Sequence, residues 1–96
     1  MTKEDLEFGN VVELKNGWLC LIEPRYNYGF GDTIKQYLKE NYTIQLRDIK
    51  TAEYSADLND YTDDLTCDDL DGNDELSIMK VYKDYTLKEL LWERKE

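Results

Sequence analysis

Short apolar runs broken by turn residues dominate the chain. Residues 11–15 (Val-Val-Glu-Leu-Lys) and 18–22 (Trp-Leu-Cys-Leu-Ile) are β-prone and separated by Asn16-Gly17. That pair supplies the two positive φ angles of a type I′ turn, so a β-hairpin is predicted here. Upstream, Thr2 followed by Lys3, Glu4 and Asp5 predicts a short helical turn with a Thr cap and acids at its positive end, closed by Gly9-Asn10. Downstream, Pro24 and the Gly/aromatic stretch at 26–31 end the second strand. Asp32 is the expected cap of a helix over 33–40, whose Ile34, Tyr37 and Leu38 recur at i, i+3 and i+4.

Tyr42-Thr43-Ile44-Gln45-Leu46-Arg47 alternates as a half-buried strand does and is expected to face the hairpin. Residues 53–66 are ambiguous. Tyr54, Ala56 and Leu58 fit one face of a strand, whereas Tyr54, Leu58, Tyr61 and Leu65 fit a helical stripe. Asp71-Gly72-Asn73 marks a turn and residues 78–82 read as a strand. Thr86 is the expected cap of a brief helical turn through Leu87 and Leu90 before Leu91-Trp92-Glu93-Arg94. The predicted class is α+β, mainly β: a small, strongly bent antiparallel sheet or SH3-like barrel with one or two short helices. A chain of 96 residues is expected to form one domain over 1–96.

Charge changes this picture more than composition does. The 22 acids and 12 bases leave a net charge of −10, and no His is present. Residues 51–79 carry ten of the acids and no Lys or Arg, while the rest of the chain is balanced at twelve and twelve. The entire net charge therefore belongs to one segment. Direct nucleic-acid binding is disfavoured, because neutralising phosphates needs a basic face. The longest apolar run, 18–22, is far short of a membrane span, and the acidic start of the chain has no apolar leader. Residence in a cytosol is expected, with Cys20 and Cys67 kept as thiols.

Catalytic chemistry finds few footholds. Without His, neither a Ser-His nor a Cys-His nucleophile pair can be assembled, and the usual metal imidazole is missing. Cys20 sits within an apolar run and reads as a core residue, and the acids beside Cys67 oppose its thiolate. Asp63-Asp64 and Asp68-Asp69 are carboxylate pairs in a segment too polar to separate their pKa values. The stretch 68–75 superficially resembles a calcium loop, but with Gly72 at the sixth position Cys67 and Ile78 fall where Asp and a bidentate Glu are required. Gly29-Phe30-Gly31-Asp32 lacks the remaining residues of a dinucleotide or P-loop fingerprint. No enzyme, no cofactor and no metal site is expected.

Two features instead suggest a binding surface. Eight tyrosines are present. Tyr37, Tyr42 and Tyr82 are expected to complete the core, and Tyr26, Tyr28, Tyr54 and Tyr61 to lie at the surface as anchors. Asp57, Asp60, Asp63, Asp64, Asp68, Asp69, Asp71, Asp74 and Glu75 form the acidic run. Within it, Asp57, Asp60, Asp64, Asp68 and Asp71 are spaced to line one helical face, and a turn-rich path would also hold them close. Such a surface serves solubility alone or docks a basic partner by standing in for a phosphate backbone.

The opening Asp5-Leu6-Glu7-Phe8-Gly9-Asn10-Val11-Val12-Glu13-Leu14-Lys15-Asn16-Gly17 carries a resemblance, together with Tyr61-Thr62-Asp63-Asp64-Leu65, Ile78-Met79-Lys80-Val81-Tyr82-Lys83 and the ending Leu91-Trp92-Glu93-Arg94-Lys95-Glu96. These blocks, 30 of the 96 residues, resemble small uncharacterised proteins of phages and prophages of Gram-positive bacteria. The resemblance implies an SH3-like, β-rich fold, a phage accessory setting in the bacterial cytosol and no catalytic motif, with residues 24–50 as an insertion. Small acidic phage proteins of this composition also resemble anti-CRISPR and other anti-defence inhibitors. The expected function is inhibition of a basic host defence protein, such as a CRISPR effector, by an acidic surface that imitates nucleic acid. The alternatives are a nucleotide or small-molecule binder built on the Gly29–Asp32 stretch, with homo-oligomers allowed, and a phage structural or regulatory module that docks through the hairpin edge.

Overall fold

The hairpin forms, with a different turn from the one its Asn-Gly pair predicts. The computed structural model describes residues 1–26, 33–67 and 74–95. In it, β1 (Val11–Leu14) pairs antiparallel with β2 (Leu19–Pro24). Gly17 has φ +93°, Asn16 does not share a positive φ, and Leu14 both accepts from the Gly17 N–H and donates to the Trp18 carbonyl, each at 2.8 Å. This is a three-residue loop with Gly in the left-handed position, and the Asn16 side chain accepts from the Trp18 N–H at 2.9 Å. The asparagine acts as an acceptor for the next turn of chain, so it has no need of a left-handed backbone.

The other strands are β3 (Ile44–Asp48), β4 (Tyr54–Asp57), β5 (Ile78–Tyr82) and β6 (Leu90–Glu93). All six form one antiparallel sheet in the order β4-β3-β2-β1-β5-β6, an α+β, mainly β architecture. Among the described residues β4 and β6 end the ladder without pairing to each other, so the sheet is open. Both strands of the hairpin are interior, which removes the hairpin edge as a docking element; the free edges are β4 and β6. Residues 24–50 supply β3, an interior strand of the same sheet.

One face of the sheet carries the core. Val12, Leu14, Cys20, Ile22, Ile44, Leu46, Ala56, Ile78 and Val81 lie on it, and Leu6, Ile34 and Tyr37 cover them. Ile34 and Tyr37 come from α1 (Ile34–Lys39), where Thr33 is the cap, its hydroxyl accepting from the Gln36 N–H at 3.2 Å. The expected cap, Asp32, lies outside the described residues. Tyr37 stacks edge-on against Phe8 and Tyr42, with ring centroids 5.0 and 5.9 Å away. At the N-terminus Thr2 does cap a turn, a 3₁₀ helix over Lys3–Asp5, with the Asp5 carboxylate accepting from the Thr2 N–H at 2.8 Å.

The end of the chain departs from expectation. Leu90 begins β6 and does not end a helical turn, and Thr86 caps none; its N–H and hydroxyl both donate to the Asp84 carboxylate. The closed 83–89 turn brings β6 back onto β5, and the backbone pairing this gains outweighs the weak helical bias of a five-residue segment.

Candidate acidic docking surface

The acidic segment is neither the helix nor the plain strand that its spacing allows. Its first part is β4, where Leu46 pairs with Ala56 and Arg47 with Tyr54, so Ser55 is an extra residue in the ladder. This bulge reverses the side-chain alternation. Ala56 faces the core while Tyr54, 51% exposed, lies on the opposite face beside Arg47.

After β4 comes a 3₁₀ turn, Leu58–Asp60, and then a strap that crosses the core face of the sheet towards β5. Leu58, Tyr61, Leu65 and Cys67 drop into the core cluster from this strap, while Asp60, Asp63 and Asp64 remain exposed. Tyr61 is therefore not the surface anchor that its charged neighbours suggest. It is 3% exposed, and its hydroxyl donates to the Leu76 carbonyl at 2.5 Å. Burial pushes the Tyr61 phenol pKa well up. The ring fills the space between strap and sheet, which a charged side chain could not do.

Three sets of hydrogen bonds hold the strap. At its start the Asn59 side chain accepts from the Ile44 N–H at 3.0 Å and donates to the Tyr42 carbonyl at 2.9 Å. In the middle, the Asp64 carboxylate accepts from the Thr62 hydroxyl and from the Thr66 hydroxyl, the latter at 2.8 Å. Leu65 sits inside that turn with φ +69° and is fully buried. A left-handed leucine costs about 1–2 kcal/mol, offset here by burial of its side chain. At the same turn Arg94, which follows β6, staples the strap to the sheet: its guanidinium donates to the Asp64 carbonyl at 2.7 Å and the Ile78 carbonyl at 3.1 Å, and it lies 5.1 Å from the Trp92 ring.

The acids thus fall into distinct places. Asp57 and Asp60 are near Tyr54, whose phenol is pushed up to about 12 by partial burial first and then by its hydrogen bond to Asp57 and the charge of Asp60. Among the described residues, Asp57 Oδ1 is the buried side-chain oxygen with no hydrogen-bond partner. The Arg25 guanidinium lies 5.7 Å from the Tyr26 ring and 5.6 Å from the Tyr54 ring, and both rings are more than half exposed. Asp63 and Asp64 project from the middle of the strap. Asp74 and Glu75 belong to the hairpin end: Asp74 pairs with Lys15 at 2.8 Å, and the Glu75 carbonyl accepts from the Asn16 N–H. The helical row through Asp57, Asp60 and Asp64 does not form, because they occupy a strand, a 3₁₀ turn and an irregular turn in succession. Asp68, Asp69, Asp71, Tyr28 and the Gly29–Asp32 stretch lie outside the described residues.

The sequence reading missed Arg25, whose signal, adjacency to Tyr26, becomes meaningful only once the β3–β4 pairing delivers Tyr54. It also missed Tyr85, 73% exposed in a polar turn. Cys20 and Cys67 are buried thiols not joined in a disulfide, and burial raises the Cys20 thiol pKa, which makes Cys20 a poor nucleophile. Among the described residues no group of three metal-ligating side chains comes together, and no helix is long and apolar enough to cross a membrane.

Several carboxylates are held below their usual range: Asp64 by Thr62, Asp74 by Lys15, Glu23 by Arg47, Asp5 by Thr2 and Asp84 by Thr86, each through a hydrogen bond to the charged form. A depressed folded pKa contributes stability that is complete above the unfolded value, 3.8 for Asp and 4.5 for Glu, and is lost as pH falls through the folded value. The urea midpoint is therefore expected to fall modestly below about pH 4, since most of these carboxylates are exposed and screened. A midpoint that rises steadily from pH 5 to pH 3 would show that relief of the net repulsion outweighs these bonds.

No family model, no curated protein and no solved structure matches this chain.

Proposed function

We propose that the chain is a non-catalytic binding protein whose strap docks its carboxylates onto a basic, nucleic-acid-handling protein. One observation carries this reading. Leu58, Tyr61, Leu65 and Cys67 anchor the strap from below, so Asp60 and Asp63 are presented from a fixed backbone with their side chains exposed. Asp64 is held by Thr62 and Thr66, and Asp74 is matched by Lys15, whereas among the described residues Asp60 and Asp63 take part in none of the side-chain bonds that build the turn. Carboxylates held in advance steer and orient a basic channel at low entropic cost. The exposed Tyr26 and Tyr54 rings, bracketing Arg25, add the residue types that dominate interface energetics. In this reading the protein is a phage accessory protein of the bacterial cytosol, and it inhibits a host defence effector by occupying the site that nucleic acid would fill. The absence of His and the balanced charge elsewhere in the chain support binding over catalysis.

The test is affinity capture from bacterial lysate with the wild-type chain beside an Asp60→Asn/Asp63→Asn variant, at low and moderate salt. Neither substitution touches the strap's anchors, so the variant should fold. It should hold the captured protein at least tenfold more weakly, with a flatter salt dependence. Equal retention by both chains of the same nucleic-acid-handling protein would remove the strap from the interface.

A further inference from the structure

We propose that β6 is a homodimer edge, pairing antiparallel with β6 of a second copy to continue the sheet. This goes beyond the docking role of the strap and uses the opposite end of the sheet from β4.

The edge is open and apolar. Leu90 and Leu91 are 47% and 45% exposed on a terminal strand, close to the half-buried Trp92 that packs against the core. Leu91 is the extra residue of the β5–β6 ladder, since Tyr82 pairs with Leu90 and Val81 with Trp92. The Arg94 N–H is taken by the Met79 carbonyl at 2.8 Å. By the alternation of an antiparallel ladder, the backbone groups of Glu93 then point away from β5. Glu93 therefore offers the backbone groups that another strand would use, with the bulged Leu91 beside it on the same edge.

Charge selects the occupant. A chain of net charge −10 repels its own copies over most of its surface, and β4, flanked by Glu53, Asp57 and Asp60, would repel itself most strongly. Residues 88–95 (Lys-Glu-Leu-Leu-Trp-Glu-Arg-Lys) instead mix both signs. Pairing Leu91 with Glu93 of the second copy, and the reverse, puts the two-fold axis at Trp92. That register sets Leu90 opposite Arg94 and Glu89 opposite Lys95, with no like charges facing. Shifting it by two residues, so that Leu91 faces Leu91, would set Glu89 against Glu93 and Lys88 against Arg94. The segment is complementary to itself in one register, which is what a two-fold interface demands. The present partner of Glu89, Lys83 at 3.8 Å, is a highly exposed pair and easily given up.

The experiment is sedimentation equilibrium of the full chain over a hundredfold range of concentration. The expected result is a shift from 11.4 kDa towards twice that mass. Glu89→Lys alone and Lys95→Glu alone each set like charges opposite each other at two symmetric positions and should weaken the dimer roughly tenfold, while the double reversal restores it. Leu91→Lys should abolish association, with circular dichroism reporting whether the variant folds. If it does not fold, the charge reversals decide. A chain that stays monomeric throughout overturns the proposal, as does a dimer indifferent to both the single and the double reversals.

Discussion

Replacing Tyr61 by alanine is expected to destabilise the protein by about 3–5 kcal/mol, the cost of removing a large buried ring from a core that cannot close over the space. Total stability for a domain of this size is of order 5–15 kcal/mol, so much of the folded population is at risk at 37 °C. The side chain has two separable roles. Its ring joins Leu58 and Leu65 in fixing the strap to the sheet, and its hydroxyl supplies a donor to the Leu76 carbonyl on the approach to β5. Tyr61→Phe keeps the ring and should cost only about 1–2 kcal/mol. Urea unfolding measures both. Hydrogen exchange adds a local readout, because the Ile78 N–H donates to the Leu65 carbonyl at 3.0 Å and should lose protection in the alanine variant first. A loss below 1 kcal/mol for Tyr61→Ala would mean that the strap is held by its hydrogen bonds alone.

Asn10→Ala is expected to cost about 2–4 kcal/mol, more than its few removed atoms would suggest. Asn10 is 3% exposed; its side-chain Oδ1 accepts from the Glu7 N–H at 2.7 Å and its side-chain Nδ2 donates to the Lys83 carbonyl at 3.0 Å. One short side chain thus ties the approach to β1 to the turn after β5, 73 residues away in sequence. Truncation strands two backbone groups in a part-buried site. Asn10→Asp keeps the acceptor but faces the Lys83 carbonyl with a second oxygen, so the aspartate is favoured in its protonated form. Its folded pKa is therefore raised, and its destabilisation should be greatest at pH 7 and shrink as pH falls through the carboxylate range. Thermal melts of the three chains at pH 4 and pH 7 check the order. Equal melting temperatures for Asn10→Ala and the wild type would show that solvent reaches both backbone groups.

The hairpin, β3 and β5 were readable because their signals are local: β-branched and aromatic runs of four to six residues bounded by turn residues. The helix was readable from Ile34, Tyr37 and Leu38, since a 3.6-residue period places all three on one face. Residues 53–66 were not. Tyr54, Leu58, Tyr61 and Leu65 satisfy a helical stripe, yet the bulge at Ser55 sends Tyr54 to the outer face, and the other three are buried from a strap with almost no regular structure. A bulge is a property of a strand pair, and nothing in either strand alone announces it. Leu87 and Leu90 were misread for a similar reason. Their helical spacing is a weak preference, overridden when the 83–89 turn returns the chain to β5.

The candidate site divides along the same line. That the net charge resides in 51–79, that no His-based chemistry is available, and that short β-prone runs make a mainly β domain all follow from residue types and order, which need no partner to be expressed. Which acids remain available is a tertiary matter. Asp64 is drawn into a turn by Thr62 and Thr66, Asp74 is matched by Lys15 from a hairpin 59 residues away, and Asp60 and Asp63 are left exposed. Tyr61 and Tyr54 have similar acidic neighbours in sequence, yet one is buried and the other is not. Burial depends on where the strap crosses the sheet, and that path is set by packing between segments far apart in the chain, which local pattern does not encode.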